Sequence, residues 1–115
     1  MLPRAMTAID ELRVTLTAAA DPARAPEMAR YMRDQFPFLG VASTPRRAAA
    51  KSFIRSFDGQ PPSASIAITK HLWRQPEREF AYVGSDLLAR QAKRLEATHL
   101  TAVRSFITTK SWWDT

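Results

Sequence analysis

The sequence predicts an all-α fold, and three observations carry that prediction. Apolar residues recur at helical spacing, most completely in Phe80, Val83, Gly84, Leu87, Leu88 and Leu95, which follow an i, i+3, i+4, i+7 stripe. Strand signals are nearly absent: there is no sustained alternation of apolar and polar residues, few β-branched runs and no Asn-Gly hairpin turn. Prolines, 8 in 115 residues, punctuate the chain and divide it into lengths suited to helices of about 10 to 18 residues. Short connections between such helices favour antiparallel pairs. These either stack as a right-handed solenoid or close as a bundle, and the weak internal repetition fits both.

Taken in order, the first helix is expected from Thr7 to Ala20, opened by the Thr7-x-x-Asp10 pattern, carried by Ile9, Leu12, Leu16 and Ala19, and ended by Asp21-Pro22. A second, opened at Pro22 or Pro26, carries Met28, Tyr31 and Met32 toward Phe36. Phe36-Pro37-Phe38-Leu39-Gly40-Val41 is too apolar for an ordinary surface loop and is expected to pack under neighbouring helices. A third helix takes Ser43 or Thr44 as N-cap and Pro45 at its first position, buries Ala49, Ala50, Phe53, Ile54 and Phe57, and stops at Asp58-Gly59. A fourth runs from Ser63 to Arg74 with Ile68 and Leu72 on one face, Trp73 beside them and Gln75-Pro76 as the break. The fifth is the Phe80 to Leu95 stripe. A sixth, Ala97 to Thr108, uses Leu100, Val103, Phe106 and Ile107, and Ser111 with Asp114 spells the start of another.

A chain of 13.0 kDa with 45% hydrophobic residues is expected to form one globular domain over residues 1–115. Its net charge is +6 and its pI about 10.5, with Arg far commoner than Lys. The planar guanidinium suits phosphate oxygens, so a polyanion is the first partner to consider, although an Arg-biased genome gives the same composition. The absence of cysteine removes disulfides, thiolate nucleophiles and Cys-based zinc sites, and His71 and His99 lack metal-ligand spacing, so no metal is expected. No segment approaches the roughly 18 apolar residues of a membrane span, and no signal-peptide core is present. A cytoplasmic protein without membrane contact is the expectation.

No hydrolase triad can be assembled from local spacing. Glu77 and Glu79 fall in the first turn of the fifth helix, where they suit the helix dipole, and Arg90, Lys93 and Arg94 near its end read as a solvated face. Arg46 and Arg47 oppose the dipole at the start of the third helix; there they can join free backbone N–H groups in holding an anion. Lys110-Ser111-Trp112-Trp113-Asp114 combines a cation, a helix start and two aromatics about 100° apart, so that one can fill the core while the other meets a ligand such as a stacked base; both in the core is the plainer reading. Tyr31 can place its ring inside and its hydroxyl toward a phosphate, as buried tyrosines often do with other partners.

These segments, taken together, resemble the DNA alkylation repair family. Asp21-Pro22 through Met28-Ala29-Arg30-Tyr31-Met32, then Phe36 to Val41 and Pro45-Arg46-Arg47, resemble its opening; Leu72-Trp73 with Pro76-Glu77-Arg78-Glu79-Phe80 resemble its middle; and Thr108-Thr109-Lys110-Ser111-Trp112-Trp113-Asp114-Thr115 resembles its most specific motif. The resemblance implies a HEAT-like helical repeat solenoid with a concave cationic face for double-stranded DNA. It also implies hydrolysis of the N-glycosidic bond of 3- and 7-alkylated purines, without metal or cofactor. It places Trp113 at the lesion and Tyr31 at the DNA face, and leaves Arg46, Arg47 and Lys110 as further DNA contacts.

The family's catalytic Asp follows the Trp-Trp-Asp motif by three positions, two residues beyond Thr115, so no catalytic residue is expected in the chain and Asp114 reads as a cap. The expectation is therefore a truncated solenoid, poorly active alone and prone to self-association through an uncovered end. The alternative class is a non-catalytic helical-repeat module that binds nucleic acid or a protein partner.

Overall fold

The computed structural model describes residues 4–109, which form α-helices, turns and loops with no strand among them. The α-helices are α1 (Arg4–Ala18), α2 (Arg24–Tyr31), α3 (Ser43–Arg55), α4 (Pro62–Arg74), α5 (Arg78–Gln91) and α6 (Leu100–Thr108), with two 3-10 turns, Ala92–Arg94 and Ala97–His99, between the last two. The Ser111 start of a further helix lies outside the described residues.

Boundaries depart from the sequence expectation where something other than the apolar stripe decides them. α1 begins at Arg4, so Thr7 lies inside the helix rather than at its cap. α2 stops at Tyr31, well short of Phe36, because Arg33 and Asp34 both adopt left-handed φ (54° and 57°) and the Asp34 N–H donates back to the Ala29 carbonyl at 2.7 Å. α3 takes Ala42, not Ser43 or Thr44, as its N-cap, and no side chain caps it. α5 closes at Gln91, so Leu95 leaves its stripe and packs instead from the following turn.

The expected apolar faces meet in one main core. Ile9, Leu12 and Leu16 of α1 pack with Val41, Ala50, Phe57, Ile68, Leu72, Phe80, Val83 and Leu87, while Phe53 and Ile54 lie half-buried against them. Each fully buried aliphatic or aromatic side chain contributes about 1.5–3 kcal/mol, so this cluster carries most of the drive to fold. α4 and α5 lie side by side, joined by only Gln75 to Glu77, which makes them an antiparallel hairpin. Gly84 permits their close approach: a Cβ there would sit 3.1 Å from the Thr69 methyl and 3.3 Å from the Trp73 ring.

A second cluster of Ile66, Trp73, Ala81 and Phe106 docks α6 on α4, with the Trp73 and Phe106 rings 5.4 Å apart and the Trp73 indole N–H donating to the Thr109 carbonyl at 2.6 Å. α6 buries a narrower stripe than its periodicity suggests: Ala102, Val103 and Phe106 face inward, while Leu100 and Ile107 are 65% and 67% exposed. No described helix is long and apolar enough to cross a membrane.

Candidate functional site

The Phe36 to Val41 segment is held from below by α5, and this fixes where α3 begins. Glu79 lies in the first turn of α5, but its carboxylate serves a neighbour rather than its own helix end. Fully buried, it accepts N–H groups from Leu39 (2.9 Å), Gly40 (2.8 Å) and Val41 (3.1 Å). A buried carboxylate keeps its charge only with such donors around it. Gly40 completes the arrangement at φ +99°, where its carbonyl accepts the Asp21 N–H at 2.8 Å and a Cβ would meet the Asp21 carbonyl oxygen at 2.2 Å. The Arg78 side chain, also fully buried, lies 4.0 Å from the Phe36 ring, and its backbone N–H donates to the Pro37 carbonyl at 2.9 Å. Glu77 likewise turns outward from the helix end, taking Arg13 of α1 at 2.8 Å while Arg13 spans the Phe80 ring at 4.5 Å. Glu79 thus keeps the first-turn place expected of it while Glu77 falls at the N-cap, and neither side chain caps the helix: tertiary donors hold both carboxylates.

The basic end of α5 is also structural in part. Arg90 donates twice to Asp58, at 2.9 and 2.6 Å, Gln91 adds a third bond at 2.9 Å, and Arg94 donates to the carbonyls of Phe57, Asp58 and Gln60. The Arg90 bond, followed by the Gln91 bond and the nearby guanidinium charges, holds the Asp58 carboxyl down at about 2 against a partial desolvation that pushes the other way. Arg90 and Arg94 therefore fasten the turn between α3 and α4 and are not simply solvated; Lys93 is exposed.

Between α2, the start of α3 and α5 lies a cleft of about 540 Å³ lined by Arg24, Met28, Val41, Ala42, Ser43, Arg46, Tyr82, Ser85 and Asp86. Arg46 is its buried cation, with a side chain only 10% exposed. It reaches Asp86 through one nitrogen at 3.4 Å and lies 4.9 Å from the Tyr82 ring centroid. Its Nε is buried without a hydrogen-bond partner, an arrangement that costs about 1–3 kcal/mol. The 3.4 Å contact is a weak ion pair that leaves the guanidinium under-used. Arg47, next in sequence, points outward and begins an exposed row of Arg47, Lys51 and Arg55 at helical i, i+4 spacing.

The remaining sequence candidates fall around this cleft or beyond it. Tyr31 ends α2, three residues after the cleft-lining Met28, and is 71% exposed, so its ring is not part of the core. Lys110 and Trp113, with Trp112 and Asp114, lie outside the described residues. Sequence reasoning missed Arg24, Tyr82, Ser85 and Asp86. The last three recur at i, i+3, i+4 on α5, a polar stripe beside the apolar one, and that pattern was the available signal.

The chain matches the family model of the DNA alkylation repair enzymes over residues 12–115. Among solved structures it is similar to a predicted DNA alkylation repair enzyme from Enterococcus faecalis, with 27% sequence identity and a TM-score of 0.78 over 83% of this chain and 45% of that one. It thus spans less than half of that relative's length. No curated protein matches it. The match takes in every helix from the middle of α1 onward, so the all-helical architecture is the α-helical repeat fold of these enzymes, and the chain belongs to the DNA alkylation repair enzyme family.

Proposed function

We propose that this chain forms the DNA-binding part of a DNA N-glycosylase that releases 3- and 7-alkylated purines from duplex DNA. The observation that carries the reading is family membership across residues 12–115, a stretch that includes the Trp112-Trp113-Asp114 motif. The cationic cleft at the start of α3 and the exposed row of Arg47, Lys51 and Arg55 support it, since both suit a phosphate backbone.

An alkylated purine carries positive charge and departs neutral, so bond cleavage moves that charge onto the sugar as an oxocarbenium ion, which water then captures with loss of a proton to solvent. A carboxylate and electron-rich aromatic faces stabilise the developing cation. Trp113 is the aromatic assigned to that place. The carboxylate is the Asp that family members carry three positions after the Trp-Trp-Asp motif, and residues 1–115 do not include it. In this reading Tyr31, Arg46, Arg47 and Lys110 contact DNA.

The test is release of 7-methylguanine from duplex DNA by this chain and by the protein extended through the following helices of its gene. Release by the extended protein alone supports the reading. Release by neither, with salt-sensitive duplex binding retained, moves the assignment to a non-catalytic nucleic-acid-binding module. Binding that ignores salt removes the nucleic-acid reading altogether.

A further inference from the structure

We propose that the cleft between α2, the start of α3 and α5 is a phosphate site in which Arg46 exchanges the carboxylate of Asp86 for a phosphate oxygen, so that Asp86 acts as an internal competitor of the ligand. In its duplex form the proposal rests on the DNA-binding reading above.

The argument begins with Arg46. A guanidinium that is 90% buried normally satisfies its donors through a bidentate carboxylate or several carbonyls. Here one nitrogen meets Asp86 at 3.4 Å, and Nε has no partner. Burial and the Tyr82 ring at 4.9 Å already hold the side chain in place, so Asp86 is not needed to position it. Asp86 itself is 35% exposed at its side chain, which leaves the carboxylate room to turn to water when an anion arrives.

The surroundings suit that anion. Ser43 opens the 13-residue α3, and its N-cap, Ala42, has no side chain to satisfy the first backbone N–H groups. Arg24, Ser43 and Ser85 line the cleft together with Arg46. An anion seated there meets Arg24, Arg46, Ser43, Ser85 and a helix N-terminus; it is opposed by Asp86 at Arg46 and, more weakly, by the exposed Asp21 carboxylate 3.8 Å from Arg24. Exchange of carboxylate for phosphate breaks no covalent bond and transfers no proton. Its electrostatic result is that Asp86 takes up a cation from solution as Arg46 engages the ligand.

The exchange has a signature that a merely structural ion pair lacks. Asp86→Asn keeps an oxygen for Arg46 but removes the competing charge. Binding of an undamaged duplex should tighten by about threefold or more at low salt, and the slope of log K against log salt should steepen by up to about one, because no cation is retaken at Asp86. Arg24→Gln, at an exposed position, should weaken binding and flatten the slope by about one. In a second arm inorganic phosphate replaces the duplex: at matched ionic strength it should raise the thermal midpoint over chloride, more for Asp86→Asn than for the unaltered chain.

Unchanged or weaker duplex binding by Asp86→Asn, with the unaltered chain binding in a salt-sensitive way, overturns the exchange and leaves the DNA reading standing. No duplex binding by the unaltered chain, with phosphate still stabilising Asp86→Asn more, overturns the DNA reading and supports a site for free phosphate. No response in either arm overturns both.

Discussion

Replacement of Glu79 by Gln should destabilise the chain far more than a conservative change at a polar residue ordinarily does. The carboxylate accepts one N–H through Oε1, from Leu39, and two through Oε2, from Gly40 and Val41. Glutamine offers one oxygen and turns an NH2 group toward the donors left over. In the better orientation the Leu39 N–H loses its acceptor and meets a donor, while the other two bonds lose their ionic component. With hydrogen bonds to charged groups contributing about 1.5–3 kcal/mol each, the expected loss is about 3 kcal/mol, and Glu79→Ala, which strips all three, should lose about 4.5–9 kcal/mol. At about 4–8 °C per kcal/mol for a small domain, the Gln variant should melt about 12 °C or more below the parent.

Denaturant titration followed by helical circular dichroism measures this directly, with an unchanged slope confirming that stability alone has moved. Glu77→Gln is the control. Its partner Arg13 is 33% exposed at the side chain, and loss of that ion pair should cost about 1 kcal/mol or less. If Glu79→Gln falls within 1 kcal/mol of the parent, the carboxylate does not hold the Phe36 to Val41 segment and the account of how α3 is positioned is wrong.

Gly40→Ala forces a Cβ to within 2.2 Å of the Asp21 carbonyl at φ +99°, so the Asp21 to Gly40 pairing must break; a loss above about 2 kcal/mol is expected, and a neutral result in the same titration would show that the backbone contact is dispensable. Gly84→Ala meets softer neighbours, the Thr69 methyl at 3.1 Å and the Trp73 ring at 3.3 Å, and should cost about 1–3 kcal/mol while shifting the fluorescence of Trp73. Asp58, ordinarily near 3.8, is held at about 2 in the folded chain. Because the folded value is the lower one, its contribution is present above about pH 4 and lost as pH falls toward 2. Asp58→Asn should therefore lower stability at neutral pH and flatten its acid dependence in that window; a parallel acid profile for the two proteins would assign the acid sensitivity to other groups.

The helices were legible because burial follows the i, i+3, i+4 period: Leu12, Leu16, Ile68, Leu72, Phe80, Val83 and Leu87 are all inside. Their ends were less so. α2 stops at two left-handed residues, Arg33 and Asp34, neither of them glycine, and no local composition rule announces that. Leu95 extends the α5 stripe in sequence, yet the helix closes at Gln91, whose side chain reaches Asp58 on the neighbouring turn. The polar residues were hardest to read. Whether Glu79 faces its own helix end or the loop 40 residues earlier depends on tertiary placement that spacing does not encode. Arg46 and Arg47 are identical neighbours in sequence, and a rotation of about 100° sends one into the cleft and the other to solvent. Tyr31 was open to a core ring, but its helix ends with that face outward.

The positive charge of the chain divides in the same way, and the division sharpens what it implies about a partner. Of 17 basic residues, Arg13, Arg90 and Arg94 are engaged by Glu77, Asp58 and backbone carbonyls, and Arg78 is buried against Phe36. Those four serve the fold and argue nothing about a polyanion. Arg47, Lys51 and Arg55 are different, because like charges at i, i+4 destabilise an isolated helix by a few tenths of a kcal/mol per pair, and α3 carries no acidic residue along its length to offset them. Folding alone gives no reason to keep such a row. In the proposed DNA-binding reading, a phosphate backbone lying along α3 would offset that repulsion and meet the Arg46 cleft at the same helix start, so the charge that bears on that reading is the local charge of α3 rather than the net +6 of the chain.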